Sequence, residues 1–378
     1  MEKEPAPASE VAQRDISIDY LRAFVILLVV LLHSALAYTS FSTFDHENWV
    51  KSTAPIVDTS KFTLFDPVIG YLDTFLMPLM FLVSGFFIVS GLKRYGGGKY
   101  LIHRINRLGV PFIFAVLFIA PISFLPSFLA SNAQSSMPYL LRFYTYDGWP
   151  IGPPWFLWVL LAFNAVIVLL YKLKPDLLKR VNSAPRISTI FLVAFLAFFP
   201  LRLIATHHFW FSLGFFDLQP IRTGLYFSCL VIGIALGYSG ALQKTEWLDK
   251  WLIWLLIGSA SSALYLIVNV NTTSFFYVLI ISITFTAGSI GLSLGLLGAF
   301  KKLVKKRNAF FDSLSANSFG IYIIHYAYTL WLQYFLLPLD WAPMVKLTIV
   351  FAGSVLLSWG TSELIRGIPV ARRFMLAG

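Results

Sequence analysis

Apolar residues in this chain come in long runs separated by short segments rich in Lys, Arg, Gly and Pro. A helix needs roughly 20 mostly apolar residues to cross the hydrocarbon of a bilayer. Ten runs meet that need: 18–40, 67–91, 109–130, 154–171, 187–206, 221–239, 250–269, 274–298, 318–337 and 343–364. Several contain Pro or Gly, which a membrane helix tolerates when its neighbours satisfy the freed backbone groups. The expected fold class is therefore all-α: a polytopic integral membrane helical bundle of about ten transmembrane helices. The fifth run ends in a polar cluster, Arg202, His207 and His208. The first run is long enough to span and lacks a small-residue cleavage site, so it reads as a helix and not as a signal peptide. Residues 1–15 read as a short disordered cytoplasmic tail and 16–378 as a single transmembrane domain, with no soluble domain, low-complexity block or internal repeat.

Composition agrees: 58% of the residues are hydrophobic and 12% charged, about half the charged share of an ordinary soluble domain. The net charge of +11 would suit nucleic acid, but its distribution points to a membrane. With the N-terminus inside, all but six of the 29 Lys and Arg residues fall in inner segments. The exceptions are Lys51, Lys61, Arg142, Arg202, Arg222 and Lys346. This is the positive-inside bias, and it places both termini in the cytoplasm. The run Lys301, Lys302, Lys305, Lys306, Arg307 reads as a topology signal or a lipid-headgroup contact, and no nucleic-acid partner is expected. The lone Cys229 excludes an intramolecular disulfide and a Cys-based metal site. His, Asp and Glu spacing suggests no zinc or dinuclear site, so no metal is expected.

Ionisable groups inside spans mark function by default. Arg22 opens the first run and His33 follows eleven residues later, close to three helical turns, so both share a face about 16 Å apart. That spacing predicts His33 near mid-membrane, where it serves as a proton acceptor or as an interhelical hydrogen-bonding group. His325, in SFGIYIIHYAY, falls at a similar predicted depth, and the two histidines are expected to line one cavity or to serve packing. Asp73 pairs with Arg202 or Arg222, or orients an imidazole. Glu363 pairs with Arg22 or another inner arginine. Arg104 and Arg107, spaced i and i+3, share a face if helical. They suit either a multiply phosphorylated ligand or lipid phosphate. Gly96, Gly97 and Gly98 lack a following GK[ST] and read as a flexible turn. The outer loops 41–66 and 131–153 hold Trp49, Tyr144, Tyr146, Asp147 and Trp149, residues suited to sugars or to an aromatic belt.

In their joint order these residues resemble the bacterial membrane acyltransferase-3 family, over about 15 to 375. The resemblance is carried by Arg22 and His33, by MPLMFLVSGFF at 77–87 with Ser84 and Gly85, and by HRINR followed by LGVPF with Arg104 and Arg107. It is carried further by GPPWFLWVLL at 152–161 with Trp155 and Phe156, and by SFGIYIIH ending at His325. Leu314-Ser-Ala-Asn-Ser318 and Glu363-Leu-Ile-Arg-Gly-Ile-Pro369 look most like the branch that includes the periplasmic glucan succinyltransferase, with no appended esterase-like domain. The resemblance implies an O-acyltransferase of the bacterial inner membrane. It would move an acetyl or succinyl group from cytoplasmic acyl-CoA, its donor substrate, to a hydroxyl of an extracytoplasmic glycan or related sugar acceptor. It implies His33 as the catalytic histidine, Arg22 as its support or as an attractor of the donor, and Arg104 and Arg107 on the CoA phosphates. Trp155 would shape the acyl or acceptor pocket, and His325 and Ser84 would support or pack. Arg202, Arg222, Asp73 and Glu363 complete the candidate substrate-binding set. The alternative is a proton-coupled transporter of an anionic or acylated solute, with His33 and His325 as a relay.

Overall fold

A computed structural model describes residues 15–132, 137–145, 149–175, 184–204, 209–240, 246–268 and 274–369. Tyr146, Asp147, His207 and His208 lie outside the described residues. In chain order the helices are α1 (Ile16–Leu36), α2 (Phe65–Gly85), α3 (Ile88–Ala130), α4 (Tyr139–Thr145), α5 (Trp155–Leu173) and α6 (Ile187–Arg202). They continue with α7 (Pro220–Tyr238), α8 (Trp251–Val268), α9 (Phe275–Leu303), α10 (Ala309–Leu336) and α11 (Pro343–Arg366). Among the described residues, eight helices are long and apolar enough to cross a membrane: α1, α2, α3, α5, α7, α8, α9 and α11. The two remaining runs are helical as well. α6 has 16 residues. The 28-residue α10 is rich in Ser, Asn, Tyr and His, and it tolerates that polarity because α1, α3 and α11 enclose it.

Two expectations about chain path change. The segment 92–108, read as an inner loop, is helical, and α3 runs from Ile88 to Ala130 with a kink at Gly96 and π-type stretches at Ile105–Gly109 and Ala115–Ile119. Its charges disqualify it as membrane core but not as helix, because Tyr100 and Leu108 still bury an apolar side. The glycine run does provide a break: Gly96 sits at φ 71°, ψ 159°, open to glycine but strained for other residues. The second change is a β-hairpin between α6 and α7, pairing Phe211–Leu213 with Phe216–Leu218 around Gly214-Phe215. Its three-residue strands, Phe-Ser-Leu and Phe-Asp-Leu, are too short for their alternation to register as a period.

Close packing rests on small residues. A Cβ on Gly233 of α7 would meet the Leu82 carbonyl, and one on Gly85 of α2 would meet the Leu230 carbonyl. The MPLMFLVSGFF motif therefore works locally as the α2–α7 crossing, where backbones touch, while Ser84 bonds back to the Met80 carbonyl.

Prolines set a second constraint. Each removes the donor to the carbonyl four residues earlier, and hydrocarbon supplies no substitute. Side chains from other elements fill the gap. Ser289 of α9 donates to the Thr74 carbonyl freed by Pro78 (2.6 Å). Tyr144 of α4 donates to the Leu117 carbonyl freed by Pro121 (2.6 Å). Trp331 of α10 donates to the Ile122 carbonyl freed by Pro126 (3.0 Å).

The loop between α1 and α2 packs down onto the bundle. Trp49, expected as a sugar or belt residue, is buried against Phe124, Phe128 and Tyr139. Asp58 of the same loop accepts from Lys346 of α11 (2.7 Å), with both side chains buried. Lys346 thus belongs to the protein interior, as do Arg202 and Arg222. Half of the cations counted on the outer side are structural, so the exposed charge asymmetry exceeds the one visible in sequence.

Two substitutions test these devices in detergent-solubilised protein. Ser289→Ala leaves the Thr74 oxygen without a donor and is expected to cost about 1–3 kcal/mol, read as a lower thermal midpoint. Lys346→Met strands Asp58 in the interior and is expected to cost about 3–5 kcal/mol, most of it recovered by adding Asp58→Leu.

Candidate functional site

The site is built where α1 and α10 cross. His33 occupies the last turn of α1. α1 stops at Leu36, short of the apolar run's end at 40. Its terminal carbonyls are taken by side chains: Thr39 and Ser42 donate to Leu36 (2.9 and 2.7 Å), and Gln333 of α10 donates to His33 and Ser34 (3.0 and 3.1 Å). These satisfy orphan acceptors that would otherwise face hydrocarbon. His33 therefore lies beneath the outer loops, about 16 Å along α1 from Arg22.

The structure brings His33 and His325 together across 292 residues of sequence. His325 Nε2 lies 3.4 Å from His33 Nδ1, and the ring centroids are 5.3 Å apart. The surroundings fix the tautomers. Backbone carbonyls only accept, so His325 Nδ1 carries a hydrogen toward Tyr322 (2.8 Å) and Ile321 (3.1 Å). In a neutral ring this leaves His325 Nε2 as an acceptor. His33 Nδ1 faces the Val29 carbonyl at 2.9 Å and that acceptor at 3.4 Å, so it too carries hydrogen. His33 Nε2 is then the unprotonated nitrogen. His325 is fully buried, while His33 is half-buried. The reachable lone pair is on His33, backed by His325.

The GPPW segment locks onto the same helix at Tyr322, one turn before His325, and at Tyr326, the residue after it. The Tyr322 hydroxyl donates to the Pro153 carbonyl. Gly152 sits at φ 64° under the Tyr326 ring, and a Cβ there would press into ring carbons. Tyr326 in turn meets His33 edge-on at 5.1 Å. Phe156 meets Tyr322 at 6.2 Å, and Trp155 meets Tyr226 at 5.9 Å. The motif therefore sets the wall of the histidine site.

The other candidates fall into separate groups. Arg104 Nε donates to the Tyr100 hydroxyl (2.7 Å), which donates to Asn164 (2.6 Å). This holds Arg104 against α5, about 14 Å along that helix from Trp155. Arg107 is exposed. Both lie on helix, α-type up to Arg104 and π-type from Ile105, and with Arg94 they bracket His103. Asp73 chooses Arg222, in a two-pronged pair at 2.8 and 2.6 Å. Glu363 accepts from Asn317 of α10, whose Oδ1 takes the Ser362 hydroxyl (2.9 Å). Arg202 is buried at the end of α6, in the field of Tyr265. Sequence reasoning missed Tyr322, Tyr326 and Gln333; their spacing along α10 puts them on the His325 face, but only the crossing with α1 gives that face its meaning.

Residues 15–363 match the model of the family described as "Acyltransferase domain". The chain is 27% identical over 237 residues to "Glucans biosynthesis protein C" of Shigella dysenteriae serotype 1 (strain Sd197), and equally to that of Escherichia coli O6:K15:H31 (strain 536 / UPEC). Each match covers 59% of this chain and 58% of the relative, so the similarity spans about three fifths of the length of these curated relatives. No solved structure matches the chain.

Beside the site, the hairpin carries Asp217, whose backbone carbonyl accepts from Trp158 of α5 (2.9 Å). Burial pushes its carboxyl up to about 6, against a hydrogen bond from Ser212 that lowers it. The folded state thus binds this proton more tightly than the unfolded chain, where an Asp titrates near 3.9. Its contribution to stability is present below pH 4 and is lost as pH rises through 6, on the order of 2 kcal/mol. Asp217→Asn is expected to flatten the pH dependence of the thermal midpoint between pH 4 and 7.

Proposed function

We propose a reaction from one premise: the chain belongs to the acyltransferase-3 family, over residues 15–363. It moves an acyl group, acetyl or succinyl, from cytoplasmic acyl-CoA to a hydroxyl of an extracytoplasmic glycan, in the bacterial inner membrane with the basic loops inside. The observation that carries the proposal is the His33–His325 pair with its assigned hydrogens. The glycan acceptor draws support from the relatives' name.

In the proposed reaction His33 Nε2 takes the proton of the acceptor hydroxyl, and the oxygen attacks the thioester carbonyl. As the tetrahedral adduct collapses the C–S bond breaks, the ester C–O bond stays, and the thiolate recovers the proton from His33 to leave as CoA. His33 Nδ1–H faces the Val29 carbonyl at 2.9 Å with His325 Nε2 a second acceptor at 3.4 Å; together they orient the ring and offset the charge it gains, the role a third group plays behind a catalytic base. The same lone pair also suits direct attack on the thioester, with His33 as acyl carrier before the hydroxyl displaces it. Arg104, Arg107 and Arg94 form the basic mouth for the donor's phosphates, and Arg22 supplies positive charge on the histidine's own helix. Enclosure within the bundle keeps water from the thioester.

Protein reconstituted in lipid with radiolabelled acetyl-CoA or succinyl-CoA and a glycan extract tests this directly. His33→Ala is expected to lower transfer by about 10²–10⁴-fold with insertion intact. Arg104→Ala with Arg107→Ala is expected to raise the donor KM and leave kcat less affected. Full activity in His33→Ala sinks the assigned chemistry; solute accumulation in vesicles without CoA release favours the transporter.

A further inference from the structure

A cavity of about 210 Å³ opens at the starting ends of α1 and α10, the side predicted to face the cytoplasm. Asp19 and Tyr20 of α1 line one side of it. Asp312, Ser315 and Ala316 of α10 line the other, with Arg307 just before that helix. The space is many times what one water needs.

Local structure sets its polar groups. Asn308 caps α10 by accepting the Phe310 and Phe311 N–H groups. Asp312 therefore falls in the first turn, where the helix dipole favours a carboxylate. The Tyr20 hydroxyl donates to Asp312 Oδ1 at 2.8 Å and so ties α1 to α10. Asp312 Oδ2 stands 4.0 Å from Arg307 Nη1, beyond hydrogen-bond reach. The ion pair is loose, and both groups keep hydrogen-bonding capacity for a third.

Apolar side chains continue from this cavity toward the bilayer centre. Phe311 is exposed and packs on the Tyr20 ring at 5.5 Å. Phe24 and Leu27 stand one and two turns beyond Tyr20 on the same side of α1, and Phe319 one turn beyond Ser315 on α10. Phe24 is exposed and the other two are half-buried. Lys305 and Lys306, both exposed beside Arg307, suit the level of phospholipid headgroups.

The charge pattern selects among headgroups. An anionic head without an amine meets Asp19 and Asp312 as like charges, and a bare cation meets Arg307 as one. A head that carries both a phosphate and a primary ammonium matches both signs. Arginine donates in a fork to phosphate oxygens, and an ammonium has three hydrogens to give. We propose that this cavity binds an inner-leaflet phospholipid with a phosphoethanolamine head. Its ammonium sits on Asp312, its phosphate on Arg307, and its chains lie along Phe311, Phe24 and Phe319. His33 lies thirteen residues after Tyr20, and His325 thirteen after Asp312, about 20 Å along each helix. The lipid therefore braces the inner end of the crossing that holds the histidines. The site is independent of the acyl-transfer reading.

The test uses full-length protein, delipidated in detergent and then offered one of three dioleoyl lipids: phosphatidylethanolamine, phosphatidylcholine or phosphatidylglycerol. Phosphatidylcholine keeps the phosphate, but its quaternary ammonium has no N–H to donate. Native mass spectrometry reads retention, and the thermal midpoint reads stabilisation by a ligand of the folded state. Phosphatidylethanolamine is expected to be retained about tenfold more tightly than either other lipid, the worth of one charge-assisted hydrogen bond, and to raise the midpoint most. Asp312→Asn is expected to bring it down to the level of phosphatidylcholine, and Arg307→Gln to weaken both lipids alike. Ala316→Leu fills the cavity without removing a polar partner and is expected to abolish the preference. That variant carries the decision if Asp312→Asn, which disturbs the Tyr20 bond, fails to fold. Equal retention of the three lipids by the wild type, a preference that persists in Ala316→Leu, or equal stabilisation by soluble phosphoethanolamine each overturns the lipid site.

Discussion

Inside a bilayer no solvent is present to satisfy a backbone carbonyl, and this chain repeatedly frees carbonyls there. Pro78, Pro121 and Pro126 each release one, and Ser289, Tyr144 and Trp331 from other elements supply the donors. The end of α1 releases more, and Gln333 reaches from α10 to take two of them. These bonds act as rivets between segments far apart in sequence. They fix the relative height of α1, α3, α9 and α10, and the histidine site inherits that height.

The same rule shapes the chemistry. Both histidines use Nδ1 on a main-chain carbonyl of their own helix, Val29 for one and Tyr322 or Ile321 for the other. A carbonyl cannot donate, so neither ring is free to choose its tautomer. The hydrogen order runs from His33 to His325 and on to the α10 backbone, leaving Nε2 of His33 as its unprotonated nitrogen. The polarity that makes α10 a poor membrane helix by composition is thus the polarity that positions the His33 ring.

Charge is used in two distinct ways. At the inner end, Arg94, Arg104 and Arg107 gather around His103 on a helix that continues beyond the apolar run. Nearer the outer end, cations are buried and paired: Lys346 with Asp58, Arg222 with Asp73. Removing one partner of such a pair leaves a costly isolated charge. The first pair fastens the α1–α2 loop to α11, and the second ties α2 to α7.

The sequence by itself determined the class of fold and singled out His33, His325 and the inner arginines as candidates. Apolar run length decides membrane helices because hydrocarbon thickness is fixed, and the Arg22–His33 spacing needs only helical pitch. The resemblance carried by motifs such as GPPWFL and SFGIYIIH placed the chain in its family. The sequence did not decide that 92–108 is helix, since a charged amphipathic helix and a basic loop have the same composition. Nor did it decide where α1 ends, because apolarity continues past Leu36 and capping by Gln333, almost 300 residues on, stops the helix. It left Asp73 two arginine partners, and the α2–α7 crossing at Gly85 and Gly233 settled on Arg222. The meeting of His33 with His325, and the nitrogen each leaves open, depends on two helices crossing at one height, which only the tertiary structure specifies.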